Sequence, residues 1–258
     1  MKCDIYLFLT ALFLVLGMIF SCSTDSASDT VRGELNLISV HDVAFNDPSG
    51  LTLDVSGEYL WTVSSERGGR IYRLSFSGEM LAVLPYEGDD MEGITMNTND
   101  NTLWVAEERL RKVIQFDTVG NLLQSVDVPV EEVNENDGLE GISINPENNH
   151  LFVLNEKNPM VFIELNAQMD RVRYENIDFN PPFTVTDLSG LFFDNTSREF
   201  WMISDESKKI VVTDFDLNPK KYFLLDREKF EGIAVDFSGK RLYLVNDEEN
   251  RLYVYEIL

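Results

Sequence analysis

The sequence predicts an all-β fold: a five-bladed β-propeller with four antiparallel strands per blade. Three observations predict it. A short phrase ending in glycine recurs five times, as "DPSGLTL" (47–53), "DMEGITM" (90–96), "GLEGISI" (138–144), "DLSGLFF" (187–193) and "KFEGIAV" (229–235), with glycine spacings of 43, 48, 49 and 42. Eleven residues after each glycine stands an aromatic: Trp61, Trp104, Phe152, Trp201 and Tyr243. Ten further on stands a large apolar residue: Ile71, Ile114, Phe162, Val211 and Tyr253. Repeats of 40–50 residues read as four short strands apiece are propeller blades.

Each unit has the period of strands. The glycine leads into "LTLDV", "ITMNT", "ISINP", "LFFDN" or "IAVDF". Pairs such as Ser56-Gly57 and Ser238-Gly239 then suit tight hairpins. Second strands follow as "LWTV", "LWVA", "LFVL", "FWMI" and "LYLV", third strands as "RIYRLSF" to "RLYVYEI", and looser fourth strands as "EMLAVLP" to "KKYFLLD". No amphipathic helical stretch interrupts them.

The ends close the ring. The fifth unit stops at Leu258 after its third strand, and "ELNLISVHDV" (34–43) is an unassigned strand before the first unit. Pairing the two completes the last blade and removes an exposed edge. The constant offsets favour five blades over six.

Ahead of this domain, expected over 34–258, lies a short basic start, an apolar run Ile5–Phe20 and then "SCS". This is the pattern of a secretory signal, and its apolar run is short for a membrane span. "IFSC" (19–22) is similar to a bacterial lipobox, with Phe20 departing from its usual middle residue. The similarity implies a signal peptide over 1–21, a lipidated Cys22 and anchoring to a membrane of the bacterial envelope, outer or plasma. An ordinary cleaved signal and an uncleaved anchor are the alternatives. Cys3 and Cys22 are the two cysteines of the chain, so no disulfide is expected. The polar stretch "STDSASDT" makes residues 22–33 a flexible tether.

The formal net charge is −24. Such a chain repels phosphate backbones and favours cations or basic partners, so nucleic acid is not an expected partner. A solvated surface is the plain reading of much of this acid. A monomer is expected.

Some acids fall in register. First strands of a propeller line its channel, and the start of the first strand meets the end of the second on one face. A hairpin centred on Ser56-Gly57 pairs Ser49 with Ser64. Carried round, this gives Glu92/Glu107, Glu140/Asn155, Ser189/Ser204 and Glu231/Asn246. The next residue is Ser65, Glu108, Glu156, Asp205 or Asp247, acidic in four of five. Arg109 and Lys157 follow these acids in loops that can point outward. Crowded carboxylates need a cation, a shared proton or ample water. A hard cation with oxygen ligands, calcium above all, suits Glu92, Glu140 and Glu231 with Glu107, Asn155 and Asn246. Zinc and copper lack their preferred ligands. Solvated rim acids, or acids that bond neighbouring blades, are the plainer alternatives.

The E-G-[IL] phrase, the five units and the lipoprotein-type start resemble the SdiA-regulated, or YjiK-like, family of bacterial envelope proteins over residues 34–258. The resemblance implies a five-bladed propeller able to hold a calcium ion near its channel. It implies no known reaction.

Other chemistries are poorly served. His41 and His150 lie away from the expected acid ring, so neither a Ser-His-Asp triad nor a Cys nucleophile is available. "RGGR" (67–70) reads as a hairpin tip rather than a phosphate cradle. Two functions compete. One is a noncatalytic envelope lipoprotein that binds a ligand or partner across its acidic face. The other is a calcium-dependent hydrolase, lactonase-like or glycosidase-like, using the channel carboxylates.

Overall fold

A computed structural model of the chain describes residues 31–131 and 137–258. The expected signal peptide, Cys22 and the tether up to residue 30 lie outside the described residues. Strands alternate with turns throughout, and five four-stranded antiparallel sheets form the blades of a β-propeller. The first blade runs Pro48–Leu53, Leu60–Ser64, Ile71–Leu74 and Met80–Val83. The second begins at Met91–Asn97, the third at Leu139–Asn145 and the fourth at Gly190–Asp194. The fifth has Phe230–Asp236, Arg241–Asn246 and Arg251–Ile257, and its fourth strand is Leu35–Asp42.

The N-terminal strand thus closes the ring as the sequence predicts. Its register runs from Leu35 opposite Ile257 to Asp42 opposite Arg251, with a bulge between Leu37 and Ser39. Pairing starts a little before it. The Tyr222 amide donates to Val31 O at 2.7 Å, and the Gly33 amide donates to Tyr222 O at 2.8 Å. Residues 31–33 therefore belong to the edge of the fourth blade rather than to a free tether. "RGGR" is also more than a tip: Arg67–Gly69 pairs with Gly88–Asp89 in a two-stranded ribbon.

The fixed offsets are explained by packing. All five offset-eleven aromatics and all five offset-twenty-one residues are buried. They fall in five apolar clusters, each joining two neighbouring blades; Phe152 of the third blade, for example, packs edge-on against Phe200 of the fourth at 4.8 Å. No single centre of mass holds the ring. Five interfaces of equal kind do, which is why the same side-chain class returns at the same step.

The repeated glycines mark where the blades converge. A Cβ on Gly93 would lie 2.2 Å from Glu140 O, and one on Gly232 would lie 2.5 Å from Gly50 C. Each phrase abuts the phrase of the next blade, backbone to backbone, so only glycine fits. The channel narrows there to about 10 Å³, roughly room for one water. This waist divides the channel into two mouths of different character.

Candidate functional site

The mouth at the start of the inner strands is acidic. Its geometry comes from a bulge inside the repeated phrase. Met91 pairs with Glu107 and Gly93 with Ala106, so Glu92 and Gly93 share one partner step. The third and fifth blades repeat this, with Leu139 opposite Asn155 and Phe230 opposite Asn246. A bulge leaves its extra residue out of the ladder and re-aims its side chain. Glu92, Glu140 and Glu231 are the residues so treated, and all three line one pocket of about 180 Å³.

The same bulge corrects the expected register by one. Ser64 faces Pro48, not Ser49. One step reverses the direction of every side chain on a strand. Glu107, Asn155 and Asn246 accordingly do not line the pocket, and each has a bracing role in its own blade. The Tyr86 hydroxyl donates to Glu107 Oε1 at 3.0 Å. Asn155 Nδ2 donates to Pro159 O at 2.8 Å, and Asn246 Nδ2 to Glu228 O at 2.8 Å.

The residues one further on take their place. Glu108, Glu156, Asp205 and Asp247 all line the pocket, with Ser65 in the first blade. A repeated bond holds them there. The amide of Glu108 donates to Asp90 O at 2.9 Å, that of Glu156 to Gly138 O at 2.8 Å, and that of Asp247 to Lys229 O at 3.2 Å. In the fourth blade the amide of Asp205 bonds instead to the Asp187 carboxylate, at 3.1 Å.

Positive charge sits unevenly around this ring. Lys229 lines the pocket, 3.1 Å from Asp205 and 3.9 Å from Glu231. Lys229 thus sets a base among the acids on the side formed by blades four and five. Arg109 and Lys157 also turn back: Arg109 reaches Asp90 at 2.8 Å, and Lys157 reaches Glu156 at 2.8 Å and Glu206 at 3.0 Å. Glu92, Glu108 and Glu140, on blades two and three, have no basic partner among the described residues. Glu140 is 7% exposed and has no hydrogen-bond or ion-pair partner there either.

Two overlapping triads result. Carboxylate oxygens of Asp90, Glu92 and Glu108 lie within 4.8 Å of one another, as do those of Glu108, Glu140 and Glu156. Glu108 is common to both. It also accepts a hydrogen bond from the Gly138 amide at 3.0 Å, which orients it.

These groups resist ionisation. Burial, then the neighbouring Glu92, Glu231, Glu108 and Glu156, drive Glu140 well above the usual carboxylate range. Glu92 is raised likewise by burial, and by Asp90, Glu108 and Asp247. Burial and a hydrogen bond shared with Asp90 push Glu108 up to about 8. Glu231 is raised by burial and by Asp205, Asp247 and Glu92, with Lys229 opposing. Asp205 differs: burial works against its charge, yet the bond from Asp187 and the Lys229 ammonium hold it below its ordinary value. Asp187, its partner, is pushed up to about 7 by burial and the shared bond.

The histidines stand apart from this pocket. His41 contacts Ser39 Oγ at 2.9 Å, and His150 contacts Glu164 at 2.6 Å.

Fold and mouth together define a five-bladed β-propeller with an acidic, oxygen-lined channel entrance. The SdiA-regulated family profile matches residues 30–256. The chain belongs to the SdiA-regulated family. Solved structures of similar shape are propellers of varied kinds. A Myxococcus xanthus glutaminyl cyclase superposes with a TM-score of 0.70 at 12% identity, over 88% of this chain and 98% of that one. A nidogen/laminin complex gives a TM-score of 0.58 at 15% identity, over 81% of this chain and 75% of that one. A catalytically inactive virginiamycin B lyase from Staphylococcus aureus, with quinupristin, gives 0.51 at 15% identity over 82% and 66%. At such identities the likeness is one of fold.

Proposed function

We propose that this protein is a noncatalytic envelope lipoprotein whose acidic mouth holds a hard divalent cation, calcium first, and through it a ligand or partner. One observation carries the reading: Glu108 belongs to two carboxylate triads from neighbouring blades, and their inner members Glu92, Glu108 and Glu140 have no basic partner among the described residues, Arg109 and Lys157 pairing only with the outer Asp90 and Glu156. The donors are all oxygen and number enough for calcium, which takes six to eight. Glu92, Glu108 and Glu140 form the core of this site, with Asp90 and Glu156 beside it. Glu231, paired with Lys229, stands on the far wall. Glu107, Asn155 and Asn246, named as ligands from sequence, have no part in it. A cation here offsets the burial and mutual repulsion that raise these acids above the ordinary carboxylate range. Equilibrium dialysis with calcium, competed by magnesium, tests the reading on wild type and Glu108→Gln. Saturable uptake that Glu108→Gln loses supports it; no uptake refutes it.

The envelope location rests on the "IFSC" pattern and lipidated Cys22. Fatty-acid labelling that disappears in Cys22→Ser is the expected result.

A hydrolase reading has one observation in its favour. Asp205 is held below its ordinary value while Glu108 is pushed up to about 8, and both line the same pocket. Carboxylates driven apart in this way are what acid–base chemistry needs. Turnover of lactones or aryl glycosides, lost in Asp205→Asn, would favour it over the binding reading.

A further inference from the structure

The far mouth of the channel, beyond the glycine waist, has the opposite chemistry. It encloses about 360 Å³, within the range of small-molecule sites. Leu51, Ile94, Ile142 and Leu191 form its floor, and Phe192 and Pro146 its sides. No lysine or arginine lines it. Its one carboxylate, Asp54, is already engaged: it accepts from Trp61 Nε1 at 2.7 Å and from the Ser56 amide at 2.9 Å.

Among the polar groups of this cavity are three hydroxyls at one repeated position; the Asn195 carboxamide lines it too, its Oδ1 buried and without a hydrogen-bond partner among the described residues. Two residues after the phrase glycine stand Thr52, Thr95 and Ser143 in blades one to three, then Phe192 and Ala234 in blades four and five. Thr52 Oγ1 accepts from the Met96 amide at 3.3 Å, and Ser143 Oγ accepts from the Phe193 amide at 3.0 Å. Neither hydroxyl has an acceptor for its own proton among the described residues. Thr95 is 5% exposed and its hydroxyl has no partner there at all. Water alone meets this hydroxyl in the open cavity, and a bound acceptor would take its proton instead.

We infer that this cavity is a second binding site, for a compact, uncharged, largely apolar molecule bearing an oxygen acceptor such as a ketone, ester or ether. Its oxygen takes the hydroxyl protons of Thr95, Thr52 or Ser143, and its apolar body lies against Phe192 and the aliphatic floor. Anions are disfavoured, because the cavity would strip their water and return no counter-charge, and the one carboxylate a cation could meet, Asp54, is already bonded to Trp61 and Ser56. A pure hydrocarbon would leave the hydroxyls unpaired. The site is independent of the acidic mouth, from which the waist separates it.

The probe for the test is 6-propionyl-2-(dimethylamino)naphthalene, an uncharged ketone whose emission moves to the blue in apolar surroundings. The expected result is saturable, blue-shifted binding at one site per chain, unaffected by calcium. Thr95→Val keeps the shape and removes the hydroxyl, and should weaken that binding by roughly fivefold, the scale of one hydrogen bond. N-phenyl-1-naphthylamine, which has no carbonyl, should bind Thr95→Val and wild type alike. Thr98→Trp and Val55→Trp, both at the exposed rim, should exclude both probes while leaving the melting temperature near that of wild type. An emission that stays at its aqueous position overturns the proposal. So does equal loss of both probes in Thr95→Val, or full binding in a folded rim variant.

Discussion

A carboxylate oxygen of Glu108 and one of Glu140 lie within 4.8 Å of each other, although the residues belong to different blades. Were both ionised, their repulsion would be about 3 kcal/mol at an effective dielectric of about 20. The ring closes around this contact, so the fold itself carries the strain. A cation or a proton must relieve it.

Stability should therefore depend on pH in an unusual direction. Glu92, Glu108, Glu140 and Glu231 all have folded-state values raised above the ordinary 4.5. A group with a raised carboxyl value binds more protons folded than unfolded, so stability falls as pH rises. The stabilising effect is fully present below about pH 4.5 and is lost through about pH 8, the value reached by Glu108. Melts from pH 5 to 9 in chelator should show a falling Tm. Added calcium should flatten that fall. A Tm that rises steadily across this range would contradict the account.

Lys229 should act as the local counter-charge. It stands 3.1 Å from Asp205 and 3.9 Å from Glu231. Lys229→Met should lower the Tm in chelator and tighten calcium binding severalfold, since it leaves the pocket one positive charge poorer. Unchanged calcium affinity at low salt would show that the lysine does not couple to the mouth.

The waist makes a sharp prediction about glycine. Gly93→Ala places a Cβ 2.2 Å from Glu140 O, and backbone must shift. Overpacking of this kind costs typically about 1–3 kcal/mol. Gly57→Ala meets nothing within 4 Å, and its cost is only that of a left-handed turn with φ of 69°, about 1 kcal/mol. Urea unfolding of the two variants should rank them in that order.

Closure is tested by truncation. Removing residues 31–42 takes the fourth strand from the fifth blade and bares Arg251–Ile257. The truncated chain should aggregate or lose cooperative unfolding, as exposed edges do. A truncation that melts like the longer chain would mean the ring does not depend on this strand.

How far the sequence could be read follows from these same residues. Trp61, Trp104, Phe152, Trp201 and Tyr243 repeat because five interfaces repeat, so fold and closure were legible from spacing. Glu92, Glu140 and Glu231 were legible as channel residues, because each precedes a waist glycine. Their second-strand partners were not. The hairpin turn alone points to Glu107, Asn155 and Asn246, but the Glu-Gly bulge shifts the register by one and delivers Glu108 and Glu156 instead. A bulge is a backbone event with no residue code of its own beyond a glycine already present for another reason. Lys229 escaped for a related cause: it opens the fifth phrase, where Asp90 and Asp187 stand in the second and fourth.

The central claim is that the acidic mouth holds a hard cation, and calorimetric titration of calcium into the purified protein tests it most directly. The predicted result is saturable binding near one ion per chain, weakened at least tenfold in Glu140→Gln. It should come with stabilisation of about 2.7 kcal/mol at a calcium level one hundred times Kd. No heat of binding, together with a Tm that calcium leaves unmoved, would contradict it and reduce the mouth to a ring of protonated and hydrated acids.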